Sequence, residues 1–65
     1  MIPYKIFNRM TELLLIDAIN MQSGNDRSAE KELDKLQEDY GWPQAASHVQ
    51  IKEWNELYSR IDPSA

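Results

Sequence analysis

Cysteine is absent from the 65 residues, and histidine occurs once, as His48. The first absence excludes a disulfide and fits a reducing compartment. With no second histidine, cysteine or spaced carboxylate cluster to complete a ligand set, no metal is expected, and no motif asks for a cofactor. His48 reads as a solvent-facing residue at a helix start. Basic residues are also scarce, with seven Lys and Arg against eleven Asp and Glu for a formal net charge of −4. Phosphate-backbone binding needs a basic face, so direct contact with nucleic acid is not expected. Long apolar runs are missing as well. Leu13-Leu14-Leu15-Ile16 is interrupted by Asp17, far short of the roughly 20 residues of a membrane span. The N-terminus carries one early Lys and a Pro in place of the charged region and apolar run of a signal peptide. A cytoplasmic protein without membrane contact is expected.

What is present is one small domain, residues 1–65. A chain of this length buries only about 60 % of the surface that its unfolded form exposes. Domains this small usually add a disulfide, a metal or a partner subunit. With the first two excluded, association with another protein remains.

The stretch Pro3–Met21 carries the largest apolar content. At about 100° per residue, Phe7, Met10, Leu14, Ala18 and Met21 share one helical face, and Ile6, Leu13, Thr11, Tyr4 and Leu15 widen it to about half the circumference. Ile16 and Ile19 fall among Lys5, Arg9, Glu12 and Asn20 on the side expected to be wet. Such a helix provides the floor of a small core and leaves apolar surface for a second chain. Asp17 lies within the apolar arc, where an unpaired carboxylate costs several kcal/mol. It is expected at the edge of an interface or paired, for instance with a Lys or Arg of a neighbouring chain. A lone carboxylate lacks the second group that acid–base catalysis normally uses.

Pro3, with fixed φ and no N–H, suits the first helical position. The first helix is expected over Pro3–Gln22, ended by Ser23-Gly24-Asn25-Asp26 with Gly24 in the left-handed conformation. The second is expected over Ser28–Tyr40, capped by Asp26 or Ser28. Its narrow stripe is Ala29, Leu33, Leu36 and Tyr40, and its solvated face carries Glu32–Lys35, Lys31–Asp34 and Lys35–Asp39 pairs. Gly41 caps that helix and Pro43 biases Trp42 away from the α region. Ser47 and Gln50 form a capping box that opens a third helix, Ser47–Ile61, closed by Asp62-Pro63. Pro43-Gln44-Ala45-Ala46 offers an earlier start. Ile51, Trp54, Leu57, Tyr58 and Ile61 share its apolar arc. The fold class is therefore all-α, a small three-helix domain of antiparallel helices, expected to form a homodimer through the first helix.

Trp54 reads as core. Trp42, in a turn, reads either as a plug over helix ends or as an exposed anchor for a partner. A helix-turn-helix is excluded, because Gln37, Ser47 and Gln50 occupy positions where that motif needs alanine or apolar packing.

The run Glu30-Lys31-Glu32-Leu33-Asp34-Lys35-Leu36, ending at Tyr40, resembles the second helix of the small aspartyl-phosphate phosphatases of the sporulation phosphorelay. Those are antiparallel helical hairpins with a Ser-Gln-Glu-Leu-Asp signature. Glu32, Leu33 and Asp34 match it, whereas Glu30 and Lys31 stand at its serine and glutamine positions. The likeness covers about eleven residues, and the third helix has no counterpart in it. It implies removal of phosphate from an acyl-phosphate of a response regulator.

The leading functional expectation is a non-enzymatic, acidic helical regulator or inhibitor that binds a larger protein, of a size that suits phages and mobile elements. Its partner-binding residues are expected to be Leu15, Ile16, Ile19 and Trp42. An alternative is nucleic-acid mimicry by the six acids, against three bases, between Asp26 and Tyr40, directed at a nuclease, polymerase or CRISPR effector. The phosphatase activity is a third.

Overall fold

The computed structural model describes residues 1–24 and 26–61. Among the described residues are three α-helices: α1 Tyr4–Ser23, α2 Ser28–Tyr40 and α3 His48–Ile61. No strand occurs among the described residues. The expected closure of the third helix by Asp62-Pro63 lies outside them.

Each boundary has a local cause. Pro3 stands just outside α1 rather than within it, with ψ 137°, and its carbonyl accepts from the Ile6 and Phe7 N–H groups. At the other end Gly24 does not adopt the expected left-handed conformation. Its φ of 175° is extended, and its N–H donates to the Asn20 carbonyl. Before α2 the Asp26 carboxylate accepts from both the N–H and the hydroxyl of Ser28. That backbone bond holds the Asp26 carboxyl below its ordinary range, as expected when hydrogen bonding favours the charged form.

Gly41 ends α2 in the left-handed region, φ 74° and ψ 36°. Its N–H reaches the Glu38 carbonyl at 3.3 Å while the Trp42 N–H reaches that of Gln37 at 2.8 Å. This is the paired 5→2 and 6→1 arrangement of a Schellman cap. The chain then turns, with Ala45 N–H to Gly41 O and Ala46 N–H to Pro43 O, and Trp42–Pro43 is cis. The earlier start at Pro43 is therefore not used. The Ser47 hydroxyl accepts from the Gln50 N–H, and Gln50 Oε1 accepts from the Ser47 N–H, closing the capping box at the head of α3.

Helix α1 is the shared floor. Ile2, Phe7, Met10, Leu13, Leu14, Ala29 and Leu33 form the buried core, and Ile6, Ile16, Leu36, Trp42, Ala46, Trp54, Leu57 and Ile61 pack against it. Arg9 lies opposite Glu32, and Ile16 lies opposite Ser28 and Ala29, so α1 and α2 are antiparallel. Helix α3 runs the same way as α1: Gln50 meets Ile2, Trp54 meets Phe7, and Tyr58 and Ile61 meet Leu14, Ala18 and Met21. The backbones of α2 and α3 do not come within packing distance of each other. Between them at one end stands Trp42, its ring 5.9 Å from Phe7 and 4.8 Å from Trp54. Offset and tilted aromatic pairs at these distances add about 0.5–1.5 kcal/mol beyond their buried area.

Candidate interaction site

Two apolar surfaces remain on α1 after the core is assembled. The first is its outer strip. Leu15 and Ile19, one turn apart, are 42 % and 63 % exposed, and Tyr4 is exposed on the same side. Ile16 is not part of this strip, contrary to the expectation that put it on the wet side. It is half-buried against Leu13 and Ala29, because α2 sits far enough round α1 to cover it.

The second surface is a cleft of about 300 Å³ between the C-terminal halves of α1 and α3, lined by Leu14, Asp17, Ala18, Met21, Gln22, Tyr58 and Ile61. Met21, expected on the core face, is 61 % exposed here. Asp17 stands at the cleft with Oδ1 out of water and no hydrogen-bond partner among the described residues. A buried acceptor left unmatched costs about 1–3 kcal/mol. The carboxylate thus lies within the apolar arc of α1, as its place on the helical wheel predicts, and no cation among the described residues pairs with it.

Trp42 occupies the plug position. Its indole is half-buried in the stack with Phe7 and Trp54. Trp54 is half-buried too, so the two rings share one environment.

The charged surface is arranged around Arg9, which donates through Nε to Glu32 at 2.9 Å and pairs with Glu12, while Arg27 pairs with Glu30 at 2.8 Å. The hydrogen bond to Glu32, followed by the charges of Glu32 and Glu12, raises the Arg9 pKa. These bridges are exposed, where a pair is worth about 0–1 kcal/mol. The three pairs expected within α2 are not formed among the described residues. The cations that engage its carboxylates come instead from α1 and from the connection before α2.

Gln50 is the residue whose role exceeded its sequence signal. Besides the capping box, its Oε1 accepts from the Ile2 N–H at 3.1 Å and its Nε2 donates to the Ile2 carbonyl at 2.6 Å, all within a site where Gln50 is buried. One amide thus holds the N-terminal segment against the head of α3. The capping box could be read from Ser47 and Gln50, but nothing in the spacing indicates a partner 48 residues away.

No group of three His, Cys, Asp or Glu among the described residues is placed to hold a metal, and no described helix is long and apolar enough to cross a membrane. His48 is exposed at the head of α3. Compared with protein-family models, curated proteins and solved structures, the chain matches none of them. The likeness of residues 30–40 to the phosphatase helix therefore rests on those residues alone. Among them Leu33 is buried, Glu32 is engaged by Arg9, and Asp34 is exposed.

Proposed function

We propose that this protein is a non-enzymatic interaction protein, a small acidic helical regulator or inhibitor that acts by occupying a surface of a larger protein and pairs with a second copy of itself. The observation that carries this reading is the exposure of Leu15 and Ile19 on the outer strip of α1. Contiguous exposed apolar side chains on a small domain are where binding free energy is available. A 65-residue chain without a disulfide also has reason to gain stability from association. Ile16 belongs to the fold in this account, so the strip is Leu15 and Ile19 with Tyr4 at its end.

The test is the oligomeric state of wild type and of the Leu15→Lys, Ile19→Lys double variant. Sedimentation at about 50 µM should show a wild-type dimer and a variant monomer that keeps the wild-type helical content and melts lower, because the stabilisation from association is lost. A wild-type monomer at that concentration removes the self-association. The mimicry reading keeps one supporting observation, since Asp34, Glu38 and Asp39 are exposed and form no salt bridge among the described residues. A partner held through those carboxylates would lose affinity steeply with salt. A partner held by the apolar strip would not.

A further inference from the structure

We infer that the cleft at Asp17 is a docking site for a Lys or Arg side chain of a partner protein, carried on an apolar segment; this rests on the reading of the protein as an interaction module and names the chemistry of what it binds. Asp17 lines the cleft with one carboxylate oxygen desolvated and unpartnered among the described residues. The rest of the lining is Leu14, Ala18, Met21, Tyr58 and Ile61, with Gln22 at the side. An anionic point inside an apolar wall fits a side chain with an aliphatic stem and a cationic head. The stem lies on apolar surface and the head meets the acid. Tyr58 adds an aromatic wall of the kind that attracts a cation.

Charge complementarity decides between possible occupants. A second copy of this chain brings the same net charge of −4, so its bases arrive with an excess of acids that Asp17 repels. Within the chain, Arg9 and Arg27 are engaged by Glu12, Glu32 and Glu30, and the other five bases, Lys5, Lys31, Lys35, Lys52 and Arg60, belong to a sequence whose eleven acids outnumber its seven bases. A basic segment of another protein supplies what these do not. The cleft also offers few polar groups beyond Asp17 to orient a free small cation, whereas a protein segment gains from the apolar lining on either side of its charge.

An acid kept for binding and an acid kept for structure differ in the effect of their removal on stability and on binding. Replacing Asp17 by Asn or Leu relieves an unmatched charge, so both variants should melt higher than wild type, by about 4 °C or more for a gain near 1 kcal/mol. The same variants should lose the cation. The probe is n-butylguanidinium, followed by the Met21 methyl resonance, with n-butanol as the neutral counterpart and a Met21→Leu protein for assignment. In wild type the cation should saturate in the millimolar range and bind at least fivefold more tightly than the alcohol. In Asp17→Asn that preference should vanish. An alanine-based helical peptide with one Arg, and Leu four residues to either side, should bind at least tenfold more tightly than butylguanidinium.

Equal shifts from cation and alcohol, or no shift from either, overturn the site. A peptide no tighter than butylguanidinium overturns the assignment to a protein segment in favour of a small cation. Asp17 variants that melt lower than wild type overturn the idea that the carboxylate is kept at a cost. If the probes fail while the Leu15 and Ile19 variant still dissociates the dimer, the cleft is wrong and the interaction reading stands. If butylguanidinium and the peptide bind as expected while wild type is monomeric, the cleft stands and the self-association falls.

Discussion

At the N-terminal end of α1, Phe7 and Met10 are closed over by Trp42, Trp54 and the Ile2 segment, while toward the C-terminal end Ile19 and Met21 remain in water and Asp17 has an oxygen without a donor among the described residues. The two ends are similar in apolar content and differ in what is available to cover them. Helix α1 has 20 residues and α2 has 13. At a rise of about 1.5 Å per residue, α2 is shorter by roughly 10 Å. Because α2 begins beside Ile16, the last turns of α1 have only α3 as a neighbour among the described residues. The open cleft is thus a consequence of helix length and register.

That contrast breaks most visibly under truncation of matched apolar side chains. Phe7→Ala removes the centre of the aromatic stack and should cost about 3–5 kcal/mol, enough to leave a domain of this size largely unfolded. Met21→Ala, at the open end, should cost under about 1 kcal/mol. Urea denaturation of the two variants decides it, and similar losses would mean that the cleft is packed in solution.

A smaller effect sharpens the account of the closed end. Gln50→Ala deletes the partner of the Ile2 N–H and carbonyl together with the capping box, and should cost about 2 kcal/mol, combining a lost cap with unmatched backbone groups. Gln50→Glu should recover only part, since a carboxylate can accept from the Ile2 and Ser47 N–H groups but cannot donate to the Ile2 carbonyl. Full recovery by Glu would show that the bond from Nε2 contributes nothing.

Much of the fold is legible in the sequence because its signals are local. Pro3, Gly41 and the Ser47–Gln50 pair mark helix ends through backbone chemistry that acts within a few residues, and Ala29, Leu33 and Leu36 of the expected α2 stripe follow from periodicity, whereas Tyr40, its fourth member, is exposed at the end of the helix. Gly24 shows the limit of such reasoning. A turn-forming cluster identifies where a helix stops without specifying the conformation, and here an extended φ suffices. The site is less legible. Ile16 and Ile19 look alike on the helical wheel, and only the angular position of α2 around α1 decides that one is covered and the other is not. The roles of Gln50 and Trp42 depend on Ile2 and Phe7, far away along the chain. Arg9 likewise binds Glu32 across the hairpin in preference to the neighbour pairs that α2 could form on its own.

Amide hydrogen exchange along α1, at a protein concentration low enough to keep the chain monomeric, tests the division of this helix most directly. The amides of Met10 through Leu14 should exchange only through global unfolding, and those of Ile19 through Gln22 should exchange at least a hundredfold faster through local opening, since few packed contacts hold that end. Uniform protection from Met10 to Gln22 would contradict the account, because the helix would then be held along its whole length and its C-terminal surface would not be free for a partner.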